Sequence, residues 1–308
     1  MDSRKKLTST FHGYKVYEEP PSQEELNEYY QKNYFQNRQN SSTYQVTYSS
    51  NERIQRNLRI QLLSDFIEFN WIKKSKNSTL PQSSTGRFLD VGCGEGYVLK
   101  HFNNLGWEIK GLDFSTHGLQ VNNPELEPFI IQGDVYKVLK ELKEGGSKFD
   151  VIFLGNILEH VLDAIILLDL LNGLLDDDAL LVITVPNDYS DLQEYLIKNN
   201  YVSDEYWLTY PDHLNYFNFE NISKLLSNLK LPVIDHYCDF PIEWFLLNSH
   251  SNYASDKSKG KEAHNARVVL DSLINVSKNK EAKMNFWRSL GALGMGRTIT
   301  TISRKVDH

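Results

Sequence analysis

The sequence is poor in cysteine, with only Cys93 and Cys238 among its 308 residues. These two form no metal-ligand spacing and no disulfide framework, so they favour a reducing compartment. Basic charge is also scarce, because 33 lysines and arginines stand against 40 aspartates and glutamates, a formal net charge of −7. An acidic chain without a clustered basic face is not expected to bind nucleic acid.

Long hydrophobic runs are missing as well. The longest, Val161–Leu175, is interrupted by Asp163 and Asp169 and is too short and too polar to span a bilayer. Residues 1–10 lack the apolar core of a signal peptide. The 40% of hydrophobic and 24% of charged residues are ordinary for a globular protein. We therefore expect a cytoplasmic protein without a stable membrane anchor, with one large domain or two small ones; its oligomeric state stays open.

Strand and helix patterns alternate along the chain, the order that crossover units in a parallel sheet produce. The predicted strands are Arg87–Val91, Glu108–Leu112, Pro128–Gln132, Asp150–Leu154, Ala179–Val185, Val233–Tyr237 and Arg297–Ser303. The predicted helices are Glu24–Gln31, 53–69, Tyr97–Leu105, Thr116–Asn122, Tyr136–Glu144, Ala164–Leu175, Asn221–Leu229, Ala263–Val276 and Glu281–Leu290. The polar run Lys73–Gly86 is typical of a linker. The pattern predicts an α/β fold.

A glycine-rich segment, Phe88–Gly96, joins the first of the alternating strands to the helix that follows. Glycines there let the backbone approach a ligand and turn into the helix. The spacing is G-x-G-x-G, and Tyr97 stands where a dinucleotide fingerprint has its last glycine. Asp90, just before the glycines, would repel a pyrophosphate. It can accept a hydrogen bond from the ammonium group of S-adenosylmethionine (SAM), which carries no phosphate.

Two further acidic residues follow predicted strands. Asp113 comes at the end of the second, where a carboxylate takes the two ribose hydroxyls as donors. Asp134 follows the third strand and can accept from the adenine amino group, with Val135 beside the ring. Because ligands of open α/β sheets bind at the carboxyl edge, these residues are expected to meet in one site.

In this order the motifs closely resemble the class I SAM-dependent methyltransferase family, over roughly residues 86–237 and the last strand. The matching segments include Phe149–Ile152 and Asn156–Val161. The resemblance implies a Rossmann-like, mostly parallel seven-stranded sheet with helices on both faces and an antiparallel last strand between the fifth and sixth. It also implies SAM as cofactor and S-adenosylhomocysteine (SAH) as product, bound by Asp90, Gly92, Cys93, Gly94, Gly96, Asp113, Phe114, Asp134, Val135 and Asn156. A Rossmann-like domain for another nucleotide, or for none, is the alternative.

The domain plan follows from the resemblance. Residues 1–85 form a helical extension, 86–238 and 296–308 the SAM-binding domain, and 239–295 a helical insertion that contributes to the substrate pocket. The aromatic residues of the extension are expected to cover the cofactor as a lid, or else to pack against the domain. These aromatic residues are Tyr29, Tyr30, Tyr34, Phe35, Tyr44 and Tyr48.

A hydroxyl acceptor usually needs a general base, and histidine is the natural candidate. His213 is the first choice, because its segment resembles one that opens the pocket above SAM in many small-molecule members of the family. His160 is the second, with a packing role as the alternative. No metal is expected, because the sequence shows no cluster of carboxylates that would converge on the acceptor. Glu159 and Asp163 lie four residues apart, but that spacing is also an ordinary helix pair.

The acceptor is predicted from polar and cationic residues beside an apolar stretch. Candidate substrate-binding residues are Tyr216, His250, Asn252, Lys261, His264 and Arg267. The inserted segment is similar, more loosely, to tails of bacterial methyltransferases that act on sugars of surface polysaccharides, which implies a sugar or sugar nucleotide. One alternative is a hydrophobic acceptor such as a quinone or lipid. Another is that the protein is a non-catalytic SAM-binding scaffold. For the insertion itself, the alternative is a helical cap with a solvated loop.

Overall fold

The computed structural model describes residues 6–30, 48–75 and 85–305. Its strands are β1 (Leu7–Ser9), β2 (Lys15–Tyr17), β3 (Arg87–Val91), β4 (Glu108–Asp113), β5 (Ile130–Gln132), β6 (Phe149–Gly155), β7 (Leu175–Pro186), β8 (Asn215–Tyr216), β9 (Val233–Cys238) and β10 (Thr298–Arg304). Its helices are α1 (Gln23–Tyr30), α2 (Ser50–Ser75), α3 (Tyr97–Asn104), α4 (His117–Asn122), α5 (Val135–Glu144), α6 (Ala164–Leu174), α7 (Asp191–Lys198), α8 (Phe219–Asn228), α9 (Gly260–Asn275) and α10 (Lys280–Ala292). Most of the predicted linker, residues 73–86, lies outside the described residues.

The large sheet has seven strands in the order β5-β4-β3-β6-β7-β10-β9. Strands β3 to β7 pair in parallel, whereas β10 runs antiparallel to both β7 and β9. This arrangement confirms the prediction that the last strand is antiparallel and lies between the fifth and sixth strands of the series.

The sheet is buried on both faces. Phe88 and Leu89 are neighbours in β3 and both fully buried, and they belong to opposite hydrophobic layers because successive side chains of a strand point to opposite faces. One layer includes side chains of α5, α6 and α8, and the other includes side chains of α2, α3 and α10. A parallel sheet covered in this way leaves its strand ends as the place for a site.

Three elements differ from the sequence prediction. Strand β2 pairs with β1 on one side and with β8 on the other in a small antiparallel sheet, which no pattern indicated because each strand has only two or three residues. A 3-10 helix, Pro124–Phe129, occupies the predicted start of the third strand, since Pro128 cannot donate to a ladder. Helix α7 was not predicted, and it begins where Ser190 Oγ accepts from the Gln193 N–H.

Within the described ranges, no helix combines the length and the apolar composition needed to cross a membrane.

Candidate active site

A cavity of about 320 Å³ opens at the carboxyl edge of the large sheet, above the ends of β3, β4, β5 and β6. Its lining comes from the loops after these strands and from α1. Seven of the ten residues expected to bind the cofactor line it: Gly92, Gly94, Asp113, Phe114, Asp134, Val135 and Asn156. Residues that are far apart in the sequence therefore meet around one ligand-sized space.

Gly92 and Gly94 bring the loop after β3 close to the cavity. Their φ angles, 76° and 52°, lie in the left-handed region that favours glycine. A Cβ atom on Gly92 would lie 2.1 Å from Cδ1 of Ile157 in the loop after β6. A Cβ atom on Gly94 would meet no described atom within 4 Å, so a side chain there would extend into open space at the cavity wall. The bare backbone leaves that space to a ligand.

Asp113 joins the end of β4 to the glycine loop. Its Oδ2 accepts a hydrogen bond from the Gly94 N–H at 2.8 Å, and its Oδ1 accepts one from the Ser115 N–H at 2.9 Å. Burial raises the pKa of this carboxyl, and the N–H donors oppose that shift. A carboxylate offers about four lone-pair positions, so it retains acceptor capacity for ribose hydroxyls.

Asp134 and Asn156 lie on opposite sides of the cavity. Oδ1 of Asp134 accepts from the Lys137 N–H at 3.0 Å, the N-cap of α5, which holds the side chain beside Val135 at the wall. Asn156 has a φ angle of 56°, and its N–H donates to the Thr184 carbonyl at 2.9 Å. A non-glycine residue in this region is uncommon and concentrates at functional sites.

The other three predicted cofactor residues do not contribute to the described lining. Asp90 is 2% exposed, and burial, followed by the charge of Asp113, raises the pKa of its carboxyl to about 8. Cys93 is buried against Gly111, and Gly96 precedes the first turn of α3. These residues lie behind the cavity wall and shape the loop that forms it.

His160 lies on the cavity wall. Its Nδ1 donates to the backbone carbonyl oxygen of Asp212 at 2.7 Å and lies 3.5 Å from Asp212 Oδ1, while its Nε2 lies 3.8 Å from Glu159 Oε1. Burial lowers the pKa of His160, but the hydrogen bond to Asp212 and the charges of both acids raise it overall, to about 9. The imidazole is therefore cationic near neutral pH.

His213 packs edge to face on His160, with the ring centroids 4.8 Å apart, and lies behind the described lining. Burial, together with the positive charge of His160, lowers its pKa to about 4, so its ring is neutral and can accept a proton. The two candidate bases are thus in contact, His160 as a cation and His213 as a neutral ring. Glu159, His160 and His213 also each offer one possible metal-ligand atom, and these three atoms lie within 4.8 Å of one another. Such a grouping could hold a metal ion.

Buried charged residues beside these histidines were missed by the sequence reasoning. Arg297 Nη1 lies 2.7 Å from Asp188 Oδ1, and Arg297 Nε lies 3.6 Å from Glu243 Oε1. Glu159 is 1% exposed, and burial raises its pKa to about 7 against the opposing charge of His160. Asp188 follows β7 and Arg297 directly precedes β10, so their position at strand ends was the available signal.

The six predicted substrate-binding residues are absent from the described cavity lining. Tyr216 is buried, and its hydroxyl lies 2.8 Å from that of Tyr17. Asn252 is buried and donates to the carbonyl oxygens of Tyr201 and Leu246, which makes it a loop anchor.

The remaining four candidates lie in or near the insertion's helices. His250 and Lys261 are exposed. His264 and Arg267 lie together on α9, with His264 Nε2 3.4 Å from Glu52 Oε1 and its Nδ1 3.2 Å from Arg267 Nη2. The structure brings these two together, away from the cofactor cavity.

The N-terminal extension contacts the site at two points. Gln23 and Leu26 of α1 line the cavity. Tyr48 donates from its hydroxyl to Glu95 Oε2 at 2.6 Å, inside the glycine loop. Of the predicted lid aromatics, Tyr34, Phe35 and Tyr44 lie outside the described residues, as does the side chain of Tyr30. The described part of the extension therefore touches both the cavity and the loop that shapes it.

Residues 54–236 match the family model described as methyltransferase domain. Sequence relatives include the ubiquinone biosynthesis O-methyltransferase of Rhodopseudomonas palustris (strain BisA53), 23% identical over 152 residues, which are 48% of this chain and 59% of that protein. The protein of the same name from Brucella anthropi is 32% identical over 93 residues, 30% of this chain and 38% of that protein. The match to these curated relatives thus spans between 38% and 59% of their length.

Solved structures with a similar fold include a SAM dependent methyltransferase from Archaeoglobus fulgidus, with a TM-score of 0.46 and 18% identity over 83% of this chain and 95% of that one. Another is the magnesium protoporphyrin IX methyltransferase of Synechocystis PCC 6803 with bound SAH, with a TM-score of 0.42 and 16% identity over 62% of this chain and 81% of that one. At these identities the similarity concerns the fold alone.

Proposed function

Because the chain belongs to the methyltransferase-domain family, and is thus a methyltransferase, we propose that it transfers a methyl group from SAM to a hydroxyl of a sugar or sugar nucleotide. The charged residues that line the cavity support SAM as the cofactor. Among the described residues that line it are the carboxylates of Asp113 and Asp134 and the imidazole of His160, but no lysine or arginine. A cationic sulfonium fits such a wall, whereas a pyrophosphate would face two carboxylates.

When bound, SAM supplies an electrophilic methyl group on a cationic sulfur. Asp113 accepts from the ribose hydroxyls, and Asp134 accepts from the adenine amino group. Phe114 and Val135 pack on the adenine ring. The glycine loop approaches the methionine part of the cofactor, and the ammonium group there favours the ionised form of Asp90 behind the loop.

The acceptor would be deprotonated by His213, which is neutral, while the cationic His160 beside it stands on the cavity wall. Methyl transfer needs an aligned acceptor and a site without competing water. Gln23 and Leu26 of α1 would exclude water from above, as part of the predicted lid. The product that leaves with the methylated acceptor is SAH.

A hydrophobic acceptor such as a quinone is the second candidate, and the named relatives favour it, since both are ubiquinone biosynthesis O-methyltransferases. Their alignments cover less than half of this chain, which leaves the segments around the acceptor free to differ. Cys93 and Cys238 are both free thiols, which fits the proposal of a reducing compartment such as the cytoplasm. That compartment is compatible with either acceptor.

Two measurements test the proposal. Calorimetry with SAM, SAH and NAD should show binding of the first two. Binding of NAD without binding of SAM would refute the assignment of SAM as the cofactor. Transfer of a labelled methyl group from SAM should then be measured with UDP-glucose, GDP-mannose, methyl glycosides and catechol. Methylation of a sugar supports the first candidate, whereas methylation of catechol alone favours the second.

A further inference from the structure

A buried polar cluster lies on the His213 side of His160, next to the cofactor cavity. It consists of Glu159, Asp188, Tyr206, Glu243 and Arg297. Glu159 and Asp188 follow β6 and β7, Arg297 precedes β10, and the other two come from the segments after α7 and before α9. The cluster therefore occupies the carboxyl edge of the half of the sheet that the cofactor cavity leaves free.

The cluster is continuous from the cavity wall to solvent. Glu159 Oε1 lies 3.8 Å from the cavity-lining His160, and the charge of Asp188 helps to raise the pKa of Glu159. Asp188 pairs with Arg297, which reaches Glu243 at 3.6 Å. The side chains of Asp188 and Glu243 are 1% and 3% exposed, whereas that of Arg297 is 22% exposed. The polar side chains thus extend from the partly exposed Arg297 to His160 on the cavity wall.

Several polar atoms of this cluster are unmatched. Glu159 Oε2, Glu243 Oε2 and the Tyr206 hydroxyl are buried without a hydrogen-bond partner in the part of the chain that the structure describes. The same holds for Nδ1 of His213. An unmatched buried polar atom destabilises a fold, and such atoms are few in native proteins. Three such atoms in the cluster and one on the neighbouring His213 indicate groups kept for a ligand.

We propose that the cluster is the acceptor subsite and that Glu159, Tyr206 and Glu243 bind hydroxyl groups of an uncharged sugar ring, an assignment that rests on the proposed function. Carboxylates accept hydrogen bonds from hydroxyl donors, and Tyr206 and Arg297 can donate to sugar oxygens. A phosphate would face three carboxyl groups, so the diphosphate of a sugar nucleotide stays outside the cluster. An apolar ring would leave the same atoms unmatched, which disfavours a quinone.

The chemical step balances within this arrangement. A sugar hydroxyl oxygen forms a bond to the methyl carbon as the carbon–sulfur bond of the sulfonium breaks. The hydroxyl proton passes to Nδ1 of His213, which has no hydrogen-bond partner among the described residues, and the sulfur keeps the electron pair, which yields SAH.

The test is saturation-transfer NMR on the full chain with saturating SAH. The probes are the methyl glycosides of glucose, galactose, mannose and rhamnose, with catechol for comparison. We expect saturation transfer to at least one glycoside, reduced about tenfold in Tyr206→Phe and in Glu243→Gln. Tyr195→Phe is the matched control, because Tyr195 is an exposed tyrosine of α7, and it should keep the full signal.

The Tyr206→Phe variant separates binding from folding, since the hydroxyl that it removes has no partner among the described residues. Its melting temperature and SAH affinity should equal those of the parent. Transfer to no glycoside while SAH binds, an equal signal in Tyr206→Phe and the parent, or transfer to catechol alone would each overturn the subsite. Failure of SAH to bind would overturn the proposed function itself.

Discussion

The Nδ1 atom of His160 donates a hydrogen bond of 2.7 Å to the backbone carbonyl oxygen of Asp212. Because a carbonyl oxygen can only accept, this contact keeps a proton on Nδ1 and leaves Nε2 beside Glu159. His160 is paired with two acids and is cationic, whereas His213 is buried against it and is neutral. Two histidines in contact therefore carry different charges. That difference separates the residue that can take a proton from the one that cannot.

We expect NMR titration of the imidazole protons to show this difference directly. The pKa of His160 should be about 9 and that of His213 about 4. Asp212→Asn removes one acid and should lower the pKa of His160. Because the charge of Asp212 also raises the pKa of His213, that pKa should fall as well. A His160 that titrates below the ordinary histidine value would contradict the arrangement.

His213→Ala should lower turnover by about 10²–10⁴ while SAM affinity stays nearly unchanged, because a sugar hydroxyl is a weak acid that needs its base. The comparison is His160→Ala, which should affect both turnover and SAM binding, since His160 lies on the cavity wall. Steady-state kinetics and calorimetry on both variants measure the two effects. Near-normal turnover in His213→Ala would reject the assignment of His213 as the base.

Asp113→Ala should weaken SAM binding by roughly 2–4 kcal/mol, because two ribose hydroxyls lose a charged acceptor. The variant also removes the contact that holds the Gly94 N–H. Glu144→Ala, which removes an exposed carboxylate at the end of α5, is the control and should leave the affinity unchanged. Calorimetry with SAM on the two variants gives the comparison, and equal affinities would place the ribose elsewhere.

The residues that line the cavity could be predicted because their determinants are local. Gly92, Asp113 and Asp134 each stand directly at a strand end, and parallel strands bring their carboxyl ends to one edge. The periodicity that locates the strands thus locates these residues too. Asp90 could be placed on its strand, but its distance from the cavity depends on how the glycine loop folds over it.

The buried polar cluster beside His160 and His213 could not be predicted in the same way. Glu243 and Arg297 are 54 residues apart in the sequence and meet only through the packing of the inserted segment on β10. Conversely, Asn252 looks like a ligand-binding amide in the sequence, yet it donates to two backbone carbonyls. A polar residue type alone does not tell a ligand contact from a loop anchor.

A metal chelator should leave the methyl-transfer rate unchanged. Glu159, His160 and His213 are close enough to hold an ion, but a histidine must be neutral to bind a metal. His160 is cationic, and its Nδ1–H donates a hydrogen bond to the Asp212 carbonyl oxygen. Activity is to be measured in EDTA and after addition of Mg²⁺ or Zn²⁺, with SAH affinity as the control. Loss of activity in EDTA that a metal restores would overturn this expectation.

The last prediction concerns Asp90, whose carboxyl is buried beside Asp113 and whose pKa is raised to about 8. An unfolded chain ionises an aspartate near pH ~3.9. Between that value and about pH 8 the folded state therefore holds a proton that the unfolded state has released. Stability falls with rising pH wherever the folded state binds more protons, so this group destabilises the free protein increasingly toward pH 8.

Asp90→Asn should reduce that decline and raise the melting temperature at pH 8 by at least about 2–4 °C, with little change at pH 4. Asp113, Glu159, Asp188 and Glu243 also have pKa values raised by burial, so the slope should shrink without vanishing. Saturating SAM should stabilise the parent more than the variant, since its ammonium favours the ionised Asp90. Thermal melts across this pH range, with and without SAM, measure both effects. Identical slopes in parent and variant would show that Asp90 ionises normally, and equal stabilisation by SAM would remove it from the cofactor site.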